Sequence, residues 1–384
     1  MSDEIVGNWK QLHQHPELGY QEKWTTAFIR ERLAESGIGT QKLELETGIV
    51  GLIKGTQGGP CVALRADIDA LPIEERNEFA HRSLYPGCMH ACGHDSHAAA
   101  LLGAAKLLEQ RKNMFRGWVK LIFQPAEELV AGASTLIAKG VLQNPKVDFI
   151  FGQHCASFAE TGKAQLSAGF FMAATAHISI VVKGRSGHGA MPDKARDPIV
   201  AAAGIITALQ SVVSRRIDPL EPAVVSIGRI QGGSADNMIP DFVELEGTAR
   251  MLDDRKFDQM EEHLRKVIIS AAHTYGCEAD FVITRQVPGM ANPVEFTDWV
   301  IGGPLSRVYG RENIFPLSAT MGSEDFAYYL QLVPGVFAQF GVREKAQSEV
   351  IPWHSSRFSI DEKAIPLAAA AYAQVAFDWL AERA

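Results

Sequence analysis

The chain has 384 residues, of which 46% are hydrophobic and 21% charged, with a formal net charge of -8. That length exceeds one ordinary core and favours two domains, and the composition excludes a disordered or fibrous chain. The acidic balance and the lack of a Lys/Arg cluster argue against nucleic-acid binding.

In chain order, residues 22–36 carry apolar positions at helical spacing, and Gly37 follows as a stop. Strands are expected at 48–55, 61–67, 118–124 and 147–153, with helices over 95–110 and 131–139. Apolar strands separated by helices read as a sheet covered on both faces, an α/β doubly wound domain with a mixed, mainly parallel sheet. Between 175 and 286 the order changes to βαββαβ, the split pattern of a ferredoxin-like α+β domain, which reads as inserted. The alternation then resumes with a helix at 296–309, a strand at 335–342 and a closing helix rich in Ala and Leu. The expected organisation is therefore residues 1–174 and 287–384 as a catalytic domain split by an insertion at 175–286.

No apolar run approaches a membrane span of roughly 18 residues, and the start MSDEIVGNWK lacks a secretion-signal layout. With neither feature, a cytoplasmic location is expected, and the five scattered cysteines form neither a disulfide framework nor a CxxC zinc site. The glycine-rich stretches 184–192 and 228–240 match neither a Walker loop nor a dinucleotide fingerprint.

Ligands of open α/β sheets bind beyond the carboxyl ends of strands, and several strand ends here carry ionisable groups. Asp67 and Asp69 follow one strand, Glu127 and Glu128 a second, and His154 a third. MHACGHDSH places Cys92 and His94 one residue apart before a helix, and Gly93 between them permits the irregular backbone that lets both face one point. With Glu128, His154 and His354 these make five candidate ligands, too many for one tetrahedral site but suited to two metals. Thiolate, imidazole and carboxylate suit zinc, and manganese, cobalt or nickel also fit. Adjacent side chains at a strand end are expected to diverge, so one glutamate would hold metal and the other move a proton. His13, His15, His81, His263 and His273 take a structural reading, while His90 and His97 stand between support and ligation.

Seven ordered blocks, LHQHPELGYQE, LRADIDALPIEE, MHACGHDSHAAALLGAA, FQPAEE, GRSGHGAMP, DNMIPD with GTAR, and GSEDF, resemble the amidohydrolases that include hippurate hydrolase, N-acyl-amino-acid deacylases and auxin-conjugate hydrolases. These are similar to the wider aminoacylase and carboxypeptidase-G metallopeptidases. The resemblance implies two divalent metals (Zn, Mn, Ni or Co) on Cys92, His94, Glu128, His154 and His354. It implies Glu127 as general base, Asp67 as a supporting carboxylate, and the insertion as lid and homodimer surface. It further implies that His188 reaches a partner subunit's site, that Asn237 and Arg250 grip a substrate carboxylate, and that Gly322 lies beside the substrate. The expected reaction is hydrolysis of N-acyl or N-aroyl amino acids. A dipeptidase or carboxypeptidase-like hydrolase on the same scaffold, and a non-catalytic metal-dependent binder, are the alternatives.

Overall fold

Four strands buried along nearly their whole length lie side by side in the structure, a computed structural model that describes residues 1–383. In order across the sheet they are Trp118–Gln124, Cys61–Asp67, Phe149–Glu160 and Gly335–Arg343, each parallel to its neighbour. Ile49–Lys54 pairs antiparallel outside Trp118–Gln124, and three two-residue strands bring the sheet to eight. His94–Glu109 and Ala364–Glu382 pack on each other and against Cys61–Asp67, with Ser2–Gln14 behind them. The mixed, mainly parallel α/β sheet expected from the apolar runs is the one observed.

Two basic side chains buried inside these strands are accommodated rather than excluded. Lys120 is buried and its Nζ donates to the carbonyls of Val141, Gln143 and Pro145 at 2.7, 2.8 and 3.0 Å. Burial pushes its pKa down to about 8. Arg65 is held by carboxylates near the candidate site.

Several elements differ from expectation for visible reasons. The strand begun at Phe149 runs on to Glu160 because Gly335–Arg343 pairs along its length, so His154 lies within a strand and not at its end. The helix over 296–309 is interrupted by a wider π-turn at Ile301–Leu305, which holds Pro304, a residue without an N–H to donate. The helix Ser2–Gln14 has its signal in Ile5, Trp9 and Leu12, all buried at helical spacing. Pro198–Arg215 and Ala364–Glu382 are long and apolar enough to cross a membrane, contrary to the expectation that no segment is. Ala364–Glu382 is largely buried in the sheet's helical layer, and core helices commonly pass such a test.

The described residues fall into two compact units. The first comprises Met1–Gly169, Ala291–Ser318 and the chain from Asp325 onward, and holds the eight-stranded sheet. The second comprises Phe170–Met290 and Ala319–Glu324. Its antiparallel sheet has the spatial order Ala223–Gly232, Phe242–Met251, Ala174–Lys183, Glu278–Val287, the ferredoxin-like arrangement. Pro198–Arg215 and Phe257–Thr274 bury Ile205, Leu209, Leu264 and Ile268 in its core. The short segment Ala319–Glu324 folds with this unit through Thr320 N to Phe171 O at 2.9 Å and Ala173 N to Gly322 O at 2.8 Å.

Candidate metal centre

Parallel pairing brings the carboxyl ends of Cys61–Asp67 and Trp118–Gln124 level, with Asp67 opposite Gln124. The segments that follow carry Asp69, Glu127 and Glu128, and the start of the helix His94–Glu109 faces them. Gly93 has φ +83° and directly precedes this helix, so the chain reverses between Cys92 and His94 as their spacing requires. Both side chains are buried.

Hydrogen bonds fix which atom each histidine presents. His94 Nδ1 lies 3.1 Å from Asp69 Oδ1, a carboxylate that accepts the ring proton and turns the Nε2 lone pair inward. His154 Nδ1 lies 2.8 Å from Cys155 O, which can only accept, so its Nε2 is likewise left as a donor of electrons. His97 differs: its Nε2 accepts from Cys155 N at 2.9 Å and its Nδ1 meets Asp67 Oδ1 at 2.5 Å. Both of its nitrogens are engaged, and it serves as a support.

The ligating atoms of Cys92, His94 and His154 all lie within 4.8 Å of one another, as do those of Cys92, Glu128 and His354. The structure thus brings together all five predicted ligands in two groups that share Cys92. Cys92 Sγ is 3.4 Å from His154 Nε2, and His354 Nε2 is 3.4 Å from Glu128 Oε1. His94 Nε2 is 3.9 Å from Glu128, 4.0 Å from Glu127 and 3.9 Å from Asp67. Two ligands of one ion at about 2.1 Å sit roughly 3.4 Å apart when tetrahedral, so these separations suit atoms sharing a cation. His94 Nε2 and Glu128 Oε1 are buried without a hydrogen bond, as metal-binding atoms are when no ion is present. A thiolate, imidazole and carboxylate set of this kind fits zinc and also admits manganese, cobalt or nickel.

The electrostatics favour positive charge at the same point. Burial opposes a charge on His94, but Asp67 and Cys92 outweigh it and hold His94 well above the ordinary imidazole range. Burial also opposes the charge of Asp67, yet His94, His97 and Arg65 hold it well below the usual carboxylate range. Burial pushes the Cys92 thiol well up and the His154 imidazole well down.

The two adjacent glutamates depart from the divergence expected at a strand end. Glu127 and Glu128 do not diverge: both carboxylates come within 4.0 Å of His94 Nε2. The strand ends at Gln124, and Ala126 at φ +54° and Val130 at φ +56° wrap the glutamates into a turn where strand alternation no longer applies. His354 also has positive φ, +62°, and its N donates to Ala91 O at 2.8 Å, which ties it to the Cys92 segment.

Asp67 is sealed from solvent beneath this cluster. Asp69, which the sequence places past a strand end without assigning it a role, bonds both His94 and the Glu128 N–H, the latter at 2.9 Å. Its signal is the D-x-D spacing past a strand end. Arg65 and Asp325 complete the support, with Gln124 bonded to both.

The remaining predicted residues belong to the second unit. His188, paired with Met238 on a two-stranded ladder, and Asn237, in the turn just before that ladder's second strand, are both exposed, and Gly189 N donates to Asn237 O at 2.8 Å. Arg250 donates to Met321 O at 2.8 Å, beside Gly322.

A family model described as peptidase family M20/M25/M40 matches residues 63–378. The chain belongs to that family. It is 40% identical to an N-acetylcysteine deacetylase of Bacillus subtilis (strain 168), over 97% of this chain and 96% of the relative. It is 39% identical to IAA-amino acid hydrolase ILR1-like 4 of Arabidopsis thaliana, over 99% and 86%. The solved YXEP protein of Bacillus subtilis, described as a dinuclear metal binding peptidase, superposes with a TM-score of 0.86 at 36% identity, covering 100% of this chain and 99% of that one. The protein is therefore a hydrolase of the amidohydrolase and metallopeptidase kind that the seven blocks resemble.

Proposed function

We propose that the protein hydrolyses the amide bond of N-acyl or N-aroyl amino acids, releasing a carboxylic acid and an amino acid, with two divalent metal ions (Zn, Mn, Ni or Co) on Cys92, His94, Glu128, His154 and His354. The carrying observation is the convergence of those five groups, with His94 Nε2 and Glu128 Oε1 left unbonded, beside a second carboxylate, Glu127. Divalent ions bound there would polarise the scissile carbonyl and acidify water. Glu127 is the general base of this reading: it takes a proton from the attacking water and returns it to the leaving nitrogen. Asp67, fixed by Arg65 and His97, orients the imidazoles.

The insertion is read as the lid and homodimer surface, with domain limits of 1–174, 175–286 and 287–384. His188 is assigned to the oxyanion in a partner subunit's site. Supporting this, Ala190 N donates to His188 Nδ1 at 3.1 Å, which puts the ring proton on Nε2, the atom able to donate. Asn237 and Arg250 are assigned to the substrate carboxylate, and Gly322 to the wall beside it. Small N-acyl amino acids are the substrates of this reading, in a cytoplasmic setting consistent with five free cysteines.

The test is turnover. Protein stripped with chelator and reloaded with Zn, Mn, Co or Ni is assayed for amine release from acetyl-, benzoyl- and indoleacetyl-amino acids and from dipeptides. Release from the acylated substrates is expected. Release from dipeptides alone would favour the peptidase reading, and no release with any metal would sink both.

A further inference from the structure

One of the seven sequence blocks, LHQHPELGYQE at residues 12–22, has no task in the hydrolytic reading. It leaves the helix Ser2–Gln14, turns at Tyr20 with φ +63°, and enters the helix Lys23–Glu35. On the way it bonds three other segments, and each bond lands one residue from a group of the metal centre. His13 Nδ1 meets Asp95 Oδ2 at 2.7 Å, beside His94. Ala70 N donates to Glu17 O at 2.8 Å, beside Asp69. Ala126 N donates to Glu22 Oε1 at 2.8 Å, beside Glu127. The same three segments meet at Asp69, so the block closes a second set of bonds around them.

Each end of the block is itself held. His13 is buried and also reaches Glu75 Oε1 at 3.1 Å, so both ring nitrogens face carboxylates and the ring carries both protons. An imidazolium between two carboxylates has one orientation, and it fixes Asp95 in the first turn of the helix that starts at His94. Farther along, the Glu17 carboxylate accepts from Trp24 N and Thr25 N at 3.0 and 2.8 Å, which binds the block to the next helix. Glu22 is sealed from solvent and bonds the N–H of Ala126, the residue whose φ of +54° sends Glu127 and Glu128 the same way. An alanine in that region is strained and persists only where its surroundings hold it. The Glu22 carboxylate supplies that hold. Gly19 lets the chain pass close by, since a Cβ there would lie 3.2 Å from Ala126 Cα.

We propose that residues 12–22 brace the metal centre, with Glu22 positioning the turn that carries Glu127 and Glu128, and His13 positioning the turn that carries Cys92 and His94. The roles of base and ligands are those of the hydrolytic reading, on which the brace rests. Glu22→Ala, Glu22→Gln and His13→Ala are compared with the parent for zinc affinity, by competition with a chromogenic chelator, and for folding, by circular dichroism. Turnover of the N-acyl amino acid that the parent cleaves best is then measured. Both alanine variants are expected to fold and to bind zinc about tenfold more weakly, and Glu22→Ala to lose about tenfold in kcat with KM within about twofold. Glu22→Gln keeps the oxygen that Ala126 N needs and should recover most of both losses. Parental zinc affinity in either folded alanine variant would overturn the proposal, as would a Glu22→Gln protein no better than Glu22→Ala. If His13→Ala does not fold, the Glu22 pair decides. Zinc affinity needs no substrate, so the brace is decided even where the parent cleaves nothing, a result that sinks the hydrolytic reading alone.

Discussion

Arg65 Nη1 donates to Asp67 Oδ2 at 2.6 Å, from a neighbouring position on the same face of one strand, with both side chains sealed from solvent. Arg65 also bonds Asp325 Oδ1 at 2.8 Å. One guanidinium thus neutralises two buried carboxylates, and Asp67 in turn orients His97. Arg65→Met leaves both acids buried without their cation. We expect a loss of about 3–5 kcal/mol in chemical denaturation, partly recovered in Arg65→Met/Asp325→Asn. Full stability of the single variant would show that the network is dispensable.

Gly93 permits no side chain for two reasons. Its φ is +83°, and a Cβ there would come within 2.4 Å of Cys155 Sγ. Gly93→Ala should cost about 1–3 kcal/mol and lower bound metal, since the Cys92–His94 turn must open. Elemental analysis of purified protein showing parental metal content would refute this.

Glu22 is buried, with its carboxylate accepting from Ala126 N at 2.8 Å. Burial pushes its pKa from the ordinary 4.5 up to about 7. The native state therefore binds this proton more tightly than the unfolded chain, so stability is full below pH 4.5 and declines as pH climbs toward 7. Glu22→Gln retains an oxygen for Ala126 N and removes the decline. Urea midpoints should place the variant above the parent at pH 8, an advantage that disappears near pH 4.5.

The two glutamates separate base from ligand. Glu127→Gln should keep its metal and lose turnover by about 10²–10⁴ or more. Glu128→Ala and Cys92→Ala should instead arrive metal-poor. An empty Glu127→Gln site beside a loaded Glu128→Ala site would reverse the two roles.

His188 can be tested by mixing. A His188→Ala subunit and a Glu127→Gln subunit each lack one group, and their hybrid dimer contains one intact site if His188 acts across the interface. Recovered activity is expected. None, with subunit exchange verified, would place His188 outside the partner's site.

Strand and helix positions were legible because burial writes itself into apolar runs, and Cys61–Asp67 follows its run residue for residue. The five candidate ligands were legible as chemistry-bearing residue types near strand ends, though the structure places His154 inside its strand. What escaped was backbone geometry. The positive φ of Ala126 sends Glu127 and Glu128 the same way, and no periodicity rule anticipates a turn that starts two residues after a strand. The role of Asp69, though not its place past a strand end, escaped because its partners, His94 Nδ1 and Glu128 N, come from other segments and meet only in three dimensions.

Arg65 and Asp325, bonded to each other, are 260 positions apart in the chain. The candidate ligands are also scattered, with His354 lying in the chain beyond Gly335–Arg343, the strand that pairs with Phe149–Glu160. Such non-local closure is slow and comes late in folding, so a half-folded chain holds no fragment of the centre able to grip an ion with all five groups. A divalent cation would therefore act on the finished fold alone, raising its apparent stability with the logarithm of free ion concentration and leaving the rate of folding nearly unchanged.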